Sequence, residues 1–193
     1  MQLDPQILEN AHVRLEPLTD QHREALRPLA QEETIWALTT KRGDGPYFDP
    51  WFDLMLQGQA NRTQISHAVW SKATGAYAGH TAFLQIDADN QRVEIGWTWY
   101  GAAWRGGVTN PACKALLLDQ AFSGGAERVE LKTHHLNERS QAAMLKLGAI
   151  REGALRSHTR TWRGDRRDTV FFSILPEEWP GVQAGLDLRL AGA

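Results

Sequence analysis

The sequence predicts a mixed α/β fold built on one central sheet. Three strand-like runs follow one another at residues 64–71, 76–86 and 92–100, and the turn-rich segments between them favour an antiparallel meander. From residue 110 onward the pattern changes, because runs with helical spacing alternate with strand-like runs. Strands and helices mixed in this way are typical of a sheet with helices packed against it.

Before the meander, the chain is predicted to form one strand and two helices. Residues 12–16 alternate apolar and polar side chains, as a half-buried strand does. A helix is expected over residues 20–31, capped by Asp20, and another over residues 49–56. The intervening stretch at 39–50 is rich in glycine, proline and charge, which predicts a loop.

After the meander, two helices flank a strand. Asn110 and Pro111 are expected to start the first helix, since asparagine caps helices and proline needs no donor in the first turn. Glycines at 124–125 would end it. A strand follows at 128–133, and a second helix is predicted between the cap Asn137 and Gly148.

The last part of the chain is predicted to hold a β-hairpin and a terminal helix. Residues 151–161 and 168–175 would pair around the turn at 163–165. Apolar residues at 182, 186 and 190 have the spacing of one helix face.

Length and composition restrict the class of protein. The chain has 193 residues, of which 42% are hydrophobic and 23% charged, so one soluble globular domain over residues 1–193 is expected. The single Cys113 excludes an intramolecular disulfide, and no histidine or carboxylate spacing predicts a metal site. No run is apolar enough for a bilayer and no secretory signal is visible, so the expected compartment is the cytoplasm, without membrane association.

The net charge of −2 is divided unequally along the chain. Residues 1–100 hold 8 basic and 13 acidic side chains, whereas residues 101–193 hold 13 basic and 10 acidic ones. This favours an anionic small ligand over DNA. Six arginines fall within residues 151–167, and a solvated hairpin is the preferred interpretation, with an RNA- or ribosome-facing patch as the alternative.

A loop able to bind an anion connects the strand ending at Tyr100 to the helix near Asn110. Glycines at 106 and 107 allow successive backbone N–H groups to turn inward, and the helix dipole adds positive potential at the same point. Arg105 supplies a full positive charge. An ordinary strand-to-helix turn would need the same residue types, so both interpretations stay open at this point.

Short motifs extend over most of the chain in one order. They are Val13-Arg14-Leu15-Glu16-Pro17-Leu18, Glu94-Ile95-Gly96-Trp97, the loop at 104–110, Asn137-Glu138-Arg139-Ser140, Arg151-Glu152-Gly153, Arg167-Asp168-Thr169-Val170 and Ser173-Ile174-Leu175. Together they resemble the GNAT family of acyltransferases, in particular its branch acting on ribosomal-protein N-termini. The resemblance implies a mostly antiparallel central sheet splayed between two parallel strands, with helices on both faces. It also implies direct transfer of an acetyl group from acetyl-CoA to an amine, either a protein N-terminus or a small molecule.

The same resemblance implies that acetyl-CoA binds between the strands at 92–100 and 128–133. The cofactor-binding positions it assigns are Thr98, Trp99, Tyr100, Arg105, Gly106, Gly107, Val108, Thr109, Asn110 and Asn137. The loop departs from the common family pattern Arg/Gln-x-x-Gly-x-Gly/Ala. Counted from Arg105, the small positions hold Val108 and Asn110; counted from Trp104, they hold Gly107 and Thr109.

Glu94 is the leading candidate for the general base. Relatives in the family often place a glutamate on this strand, and Ile95, Trp97 and Trp99 would desolvate its carboxylate and raise the pKa. A water-facing strand glutamate is the competing interpretation. His134 and His135 are alternative bases, although a solvated pair at a turn explains them as well.

Ser140 is the candidate for assisting the leaving thiolate. In the family that this chain resembles, a tyrosine seven residues after the helix asparagine often protonates the thiolate. In this chain that position is Met144. A thioether cannot donate a proton. Cys113 would lie in a helix first turn, where a reactive thiol is conceivable, but a buried packing residue is the preferred interpretation.

Trp36, Trp97 and His135 are predicted to line the acceptor pocket, and residues 36–51 are predicted to form a loop that selects the acceptor. The branch resemblance also implies a homodimer. A non-catalytic acyl-CoA-binding or sensing module on the same fold is the alternative function, favoured by the unusual loop and the missing tyrosine.

Overall fold

The computed structural model describes residues 1–192 and consists of one sheet with helices on both sides. Its strands are β1 (Leu8–Glu9), β2 (Val13–Pro17), β3 (Gln64–Ser71), β4 (Ala76–Asp87), β5 (Arg92–Tyr100), β6 (Arg128–His134), β7 (Ile150–Arg160) and β8 (Arg166–Ile174). Its helices are α1 (Arg23–Leu26), α2 (Phe48–Ala60), α3 (Thr109–Ser123), α4 (Glu138–Leu147) and α5 (Trp179–Ala191).

The strands form one eight-stranded sheet in the order β1-β2-β3-β4-β5-β6-β8-β7. Every neighbouring pair in it is antiparallel except β5 and β6, which are parallel. The predicted mixed, mostly antiparallel sheet and the meander β3–β4–β5 are therefore confirmed.

The two sheet faces carry separate apolar cores. On the face we call the α2 face, Phe48, Trp51 and Phe52 of α2 pack with Trp36 and Trp99. On the opposite α3 face, α3 and α5 pack against inward side chains of the strands, including Phe83, Val93, Ile95, Val129, Leu131 and Phe172. Helices thus cover both faces, as the family resemblance implies.

The predicted helix over residues 20–31 is broken in the structure. Asp20–His22 and Arg27–Ala30 are 3₁₀ turns, and only α1 between them is an α-helical turn. Pro28 lacks an N–H group and cannot continue the α-helical hydrogen-bond ladder. Asp20 is not the cap but pairs with Arg23 at 2.7 Å. The two-residue strand β1 was not predicted.

The starts of the later helices differ in how well local signals predict them. Helix α3 begins at Thr109, so Asn110 lies inside the first turn and accepts a hydrogen bond from the Tyr100 hydroxyl at 3.3 Å instead of capping. Helix α4 follows the prediction: the Asn137 side chain caps it, and Gly148 ends it with φ of 103°.

The pairing of β5 with β6 is short. Residues 92–94 pair with residues 128–130, and after Glu94 the strands separate, β5 continuing along β4 and β6 along β8. The divergence opens a gap in the middle of the sheet, as the resemblance implies for two splayed parallel strands.

We expect Gly79→Ala to destabilise the fold strongly. Gly79 of β4 faces Tyr100 of β5 with φ of 156°, and an added Cβ would lie 2.1 Å from the Trp99 carbonyl oxygen. Backbone strain and overpacking together predict a loss of about 2–5 kcal/mol in the free energy of unfolding, measured by urea denaturation. Gly185→Ala is the control, because its Cβ would meet open space. Equal stability of the two variants would contradict the close approach of β4 and β5.

Candidate active site

A deep cleft begins where β5 and β6 diverge. Its volume is about 2530 Å³, and it runs through the sheet from the start of α3 and the inner side of α4 to the α2 face. The α2-face end is walled by residues 34–42 and by the turn between β7 and β8. One cleft is therefore lined by residues from both faces of the sheet.

A β-bulge shapes the β5 wall of this cleft. Trp97 and Thr98 together face only Thr81 of β4, and Trp97 has φ of 48°. His80 contacts the Trp97 carbonyl through Nδ1 at 2.8 Å. Burial lowers the pKa of His80 to about 4, so the ring is neutral at neutral pH and Nδ1–H is the donor. His80 thus positions the bulge, although no motif of the sequence singled it out.

Glu94 lies at the last paired position before the gap and points to the α2 face. It is 4% exposed, so the alternative of a water-facing glutamate is wrong. Its Oε2 atom lies 2.6 Å from the Lys132 ammonium of β6. Burial raises the pKa of Glu94, and Lys132 opposes the increase. A Cβ at Gly96 would lie 3.0 Å from Glu94 Oε1, so glycine there makes room for the carboxylate.

The inner face of α4 supplies polar groups on the opposite side of the gap. Asn137, Ser140 and Met144 all line the cleft, as positions i, i+3 and i+7 of one helix face do. Asn137 Oδ1 accepts the Ser140 N–H at 3.1 Å, which leaves the Asn137 amide NH₂ and the Ser140 hydroxyl without a partner among residues 1–192.

The loop before α3 presents free backbone donors. Gly106 has φ of 78°, and within the described chain none of the amides at 106–110 donates to a protein acceptor. Arg105 was predicted to supply positive charge to a bound anion, but its side chain already has protein partners. Its Nε donates to the Tyr100 carbonyl at 2.8 Å, and its Nη1 pairs with Glu32 at 2.8 Å. Arg139 lines the same end of the cleft and forms no ion pair within the described chain.

Of the three predicted acceptor-pocket residues, Trp36 and Trp97 lie at the cleft and His135 does not. Trp97 is half-buried and lines the cleft, whereas Trp36 is fully buried and contributes to the wall from within the aromatic cluster. His135 is exposed beside the Asp168 carbonyl and lies outside the cleft, because β6 ends before it. His134 is also outside the cleft, so neither histidine faces Glu94.

Cys113 is a packing residue. It is fully buried in the core of the α3 face, and burial raises its pKa to about 11, so the thiol stays protonated. Its neighbour Lys114 is also buried and donates to Thr98 Oγ1 at 3.0 Å. Burial lowers the pKa of Lys114 to about 8.

Four residues of the site were missed by the sequence analysis: His80, Lys114, Lys132 and Arg167. Lys132 had no local signal, since it reaches Glu94 only through the pairing of β6 with β5, in which Glu130 faces Glu94. Arg167 was hidden in the arginine cluster, although it is 7% exposed and lines the cleft.

Two further findings concern residues 1–192. Within that range, no group of three or more histidine, cysteine, aspartate or glutamate side chains could hold a metal ion. None of the helices described there is both long and apolar enough to cross a membrane.

Comparisons with known proteins agree with this architecture. Residues 12–150 match the family model described as acetyltransferase (GNAT) domain. The N-acetyltransferase p20 of Bacillus licheniformis is 33% identical over 130 residues, covering 67% of this chain and 70% of that protein. The crystal structure of a GCN5-related N-acetyltransferase from Brucella melitensis has a TM-score of 0.91 at 29% identity, covering 97% of this chain and 86% of the other.

Three further similarities are more distant in sequence. RimJ of Mycobacterium smegmatis, solved with CoA-disulfide, shares the fold with a TM-score of 0.80 at 18% identity, covering 97% of this chain and 95% of that one. Proteins that carry a ribosomal acetyltransferase name are also similar to this chain. The splayed sheet, the cleft and the match over residues 12–150 together lead to one conclusion: the chain belongs to the GNAT family of acetyltransferases.

Proposed function

We propose that the protein transfers an acetyl group from acetyl-CoA to an amine. The observation that carries this proposal is the position of Glu94, a buried carboxylate at the point where the cleft passes through the sheet. A carboxylate there can reach an amine entering from the α2 face, while the donor occupies the α3 face. Binding of the two substrates from opposite faces suits direct transfer between them.

The α3 face of the cleft fits acetyl-CoA. Beyond Glu94, the β5 edge toward β6 has no partner strand in the described chain. Apart from the Tyr100 carbonyl, which accepts from Arg105, the backbone groups of this edge at 98–100 can pair with the pantetheine amides. The free amides at 106–110 and the start of α3 suit the pyrophosphate. The Asn137 NH₂ group faces the gap from α4. Arg105 then holds the loop to β5, and Arg139 contributes unpaired charge.

Glu94 is proposed as the general base. Acetyl-CoA supplies an activated thioester, and an attacking amine must lose one proton as the thiolate leaves. Glu94 takes this proton, since burial raises its pKa and makes the carboxylate a better acceptor. Lys132 keeps Glu94 ionised before the reaction and orients it through the 2.6 Å contact. The Ser140 hydroxyl donates a hydrogen bond to the leaving sulfur.

A non-catalytic acyl-CoA-binding module is the second candidate. The Arg105–Glu32 ion pair and Met144 at the usual tyrosine position favour it. It predicts acetyl-CoA binding in isothermal titration with no thiol release for any amine, whereas the enzyme releases one thiol for each amine acetylated.

Glu94→Gln is expected to lower kcat by about 10²–10⁴-fold, because the amide cannot accept the proton. Acetyl-CoA affinity in isothermal titration should stay within about twofold, because the donor lies on the other face. Wild-type turnover in the variant would show that Glu94 is not the base. Loss of acetyl-CoA binding would instead show that Glu94 acts on the donor side.

Lys132→Met is expected to shift the pH dependence of kcat/KM. Glu94 acts when deprotonated, so activity rises with pH through its pKa. Lys132 lowers that pKa, and its removal should therefore move the acid limb of the profile to higher pH. Lys72→Met, which removes a surface pair with Glu9, is the matched control and should leave the profile in place. An acid limb that moves to lower pH would contradict the assignment.

A further inference from the structure

Arg167 occupies an unusual position within the arginine cluster. The other five arginines at 151–166 are exposed, but Arg167 is 7% exposed and lines the α2-face end of the cleft. Its Nη1 donates to the Leu38 carbonyl at 3.1 Å and its Nε to Thr169 Oγ1 at 3.2 Å. Two neutral acceptors thus hold the guanidinium in one orientation on the wall.

The charge of Arg167 is not neutralised by the protein. Throughout residues 1–192, no carboxylate forms an ion pair with it. Glu94 acts on it only at longer range, and that carboxylate already contacts Lys132 at 2.6 Å. Burial lowers the pKa of Arg167 from its ordinary value. Because a buried cation without a counter-ion is unfavourable, the arrangement favours an anion supplied from outside.

A free hydroxyl lies on the same wall. Thr161 Oγ1 is buried without a hydrogen-bond partner and lines the cleft. Thr161 lies two residues after Thr159, and Thr159 pairs with Arg167 across β7 and β8. The turn carrying Thr161 is fixed against the opposite wall, since Trp162 Nε1 donates to the Trp36 carbonyl at 2.8 Å. This wall therefore carries unused hydrogen-bond donors at the α2-face end of the cleft.

We propose that Arg167 and Thr161 form an oxyanion-binding subsite beside the Glu94–Lys132 pair, so that the acceptor is a small amine carrying a carboxylate or phosphate group. This inference rests on the proposed function and names its substrate class. The subsite binds the anionic group while Glu94 faces the amine. Glu94 and Arg167 both line this cleft, so one small molecule can present its amine to the first and its anionic group to the second. The planar guanidinium suits either oxyanion through paired hydrogen bonds.

The subsite also excludes some amines. A polyamine brings further positive charge to a wall where Arg167 already lacks a counter-ion, so the subsite disfavours it. An amine without an anionic group leaves the buried charge of Arg167 without a counter-ion, so Arg167 adds nothing to the affinity for that amine.

The test uses matched pairs of acceptors that differ in the anionic group alone. Glycine, serine and aspartate are compared with their carboxamides, and phosphoethanolamine with ethanolamine, by thiol release from acetyl-CoA at constant ionic strength. In at least one pair, we expect kcat/KM for the anionic member to exceed that of the neutral member by about 10–100-fold, as for a hydrogen bond to a charged group. The amino acid and phosphate arms distinguish the two oxyanions.

Variants of Arg167 connect the preference to the subsite. Arg167→Met should bring the ratio of kcat/KM within the preferred pair toward one, and Arg167→Lys should retain part of it. Arg166→Met is the matched control, because the adjacent Arg166 is exposed and bonds to Ser157 outside the cleft. Thermal denaturation provides a second readout that needs no turnover: the preferred anionic member should raise the Tm of the wild type but not of Arg167→Met.

Four results overturn the proposal: neutral members equal to or better than anionic ones in every pair, a preference that survives Arg167→Met, a preference that is lost in Arg166→Met, or neither turnover nor a Tm increase with any anionic member. Acetylation of neutral members alone would overturn the subsite and leave the proposed function intact. Absence of acetyl-CoA binding in isothermal titration would overturn the proposed function, while the Tm comparison would still test the subsite.

Discussion

The short parallel pairing of β5 with β6 is the constraint on which the site depends. Only residues 92–94 and 128–130 pair, and each strand then follows a different neighbour. The twist of neighbouring strands and the bulge at Trp97 turn the end of β5 away from β6. A continuous sheet would keep its two faces apart. The gap instead lets groups from opposite faces approach one another beside Glu94.

The two faces provide different chemistry at this gap. The α3 face offers backbone donors from β5 and from the start of α3, which suit a large, flexible, anionic donor. The α2 face offers three charged side chains, which suit a small polar acceptor: the buried Glu94 and Arg167 and the half-buried Lys132. The uneven charge along the sequence corresponds to this arrangement. The C-terminal half supplies the cations Lys132 and Arg167, and the N-terminal half supplies Glu94.

Local signals predicted most of the fold. Strands β3 and β5 begin and end where alternation predicted, and α4 begins at its asparagine cap, because these boundaries depend on residues a few positions apart. The broken helix at 20–31 and the start of α3 were predicted less well. Pro28 interrupts the first of these helices, and at the start of α3 the Tyr100 hydroxyl bonds to the Asn110 side chain that was expected to cap. Each effect overrides a capping preference worth only about 1 kcal/mol.

The sequence by itself determined the order of the elements, the family and the position of Glu94 on a strand at the site, since these follow from short motifs and their order. Only the tertiary structure decided which side chains are buried together. Arg167 receives its hydrogen-bond partner from Leu38, 129 positions away, and Lys132 meets Glu94 only because β6 lies beside β5. Burial and charge compensation depend on such distant contacts, so only the folded chain distinguishes the buried, unpaired Arg167 from the exposed arginines of its cluster.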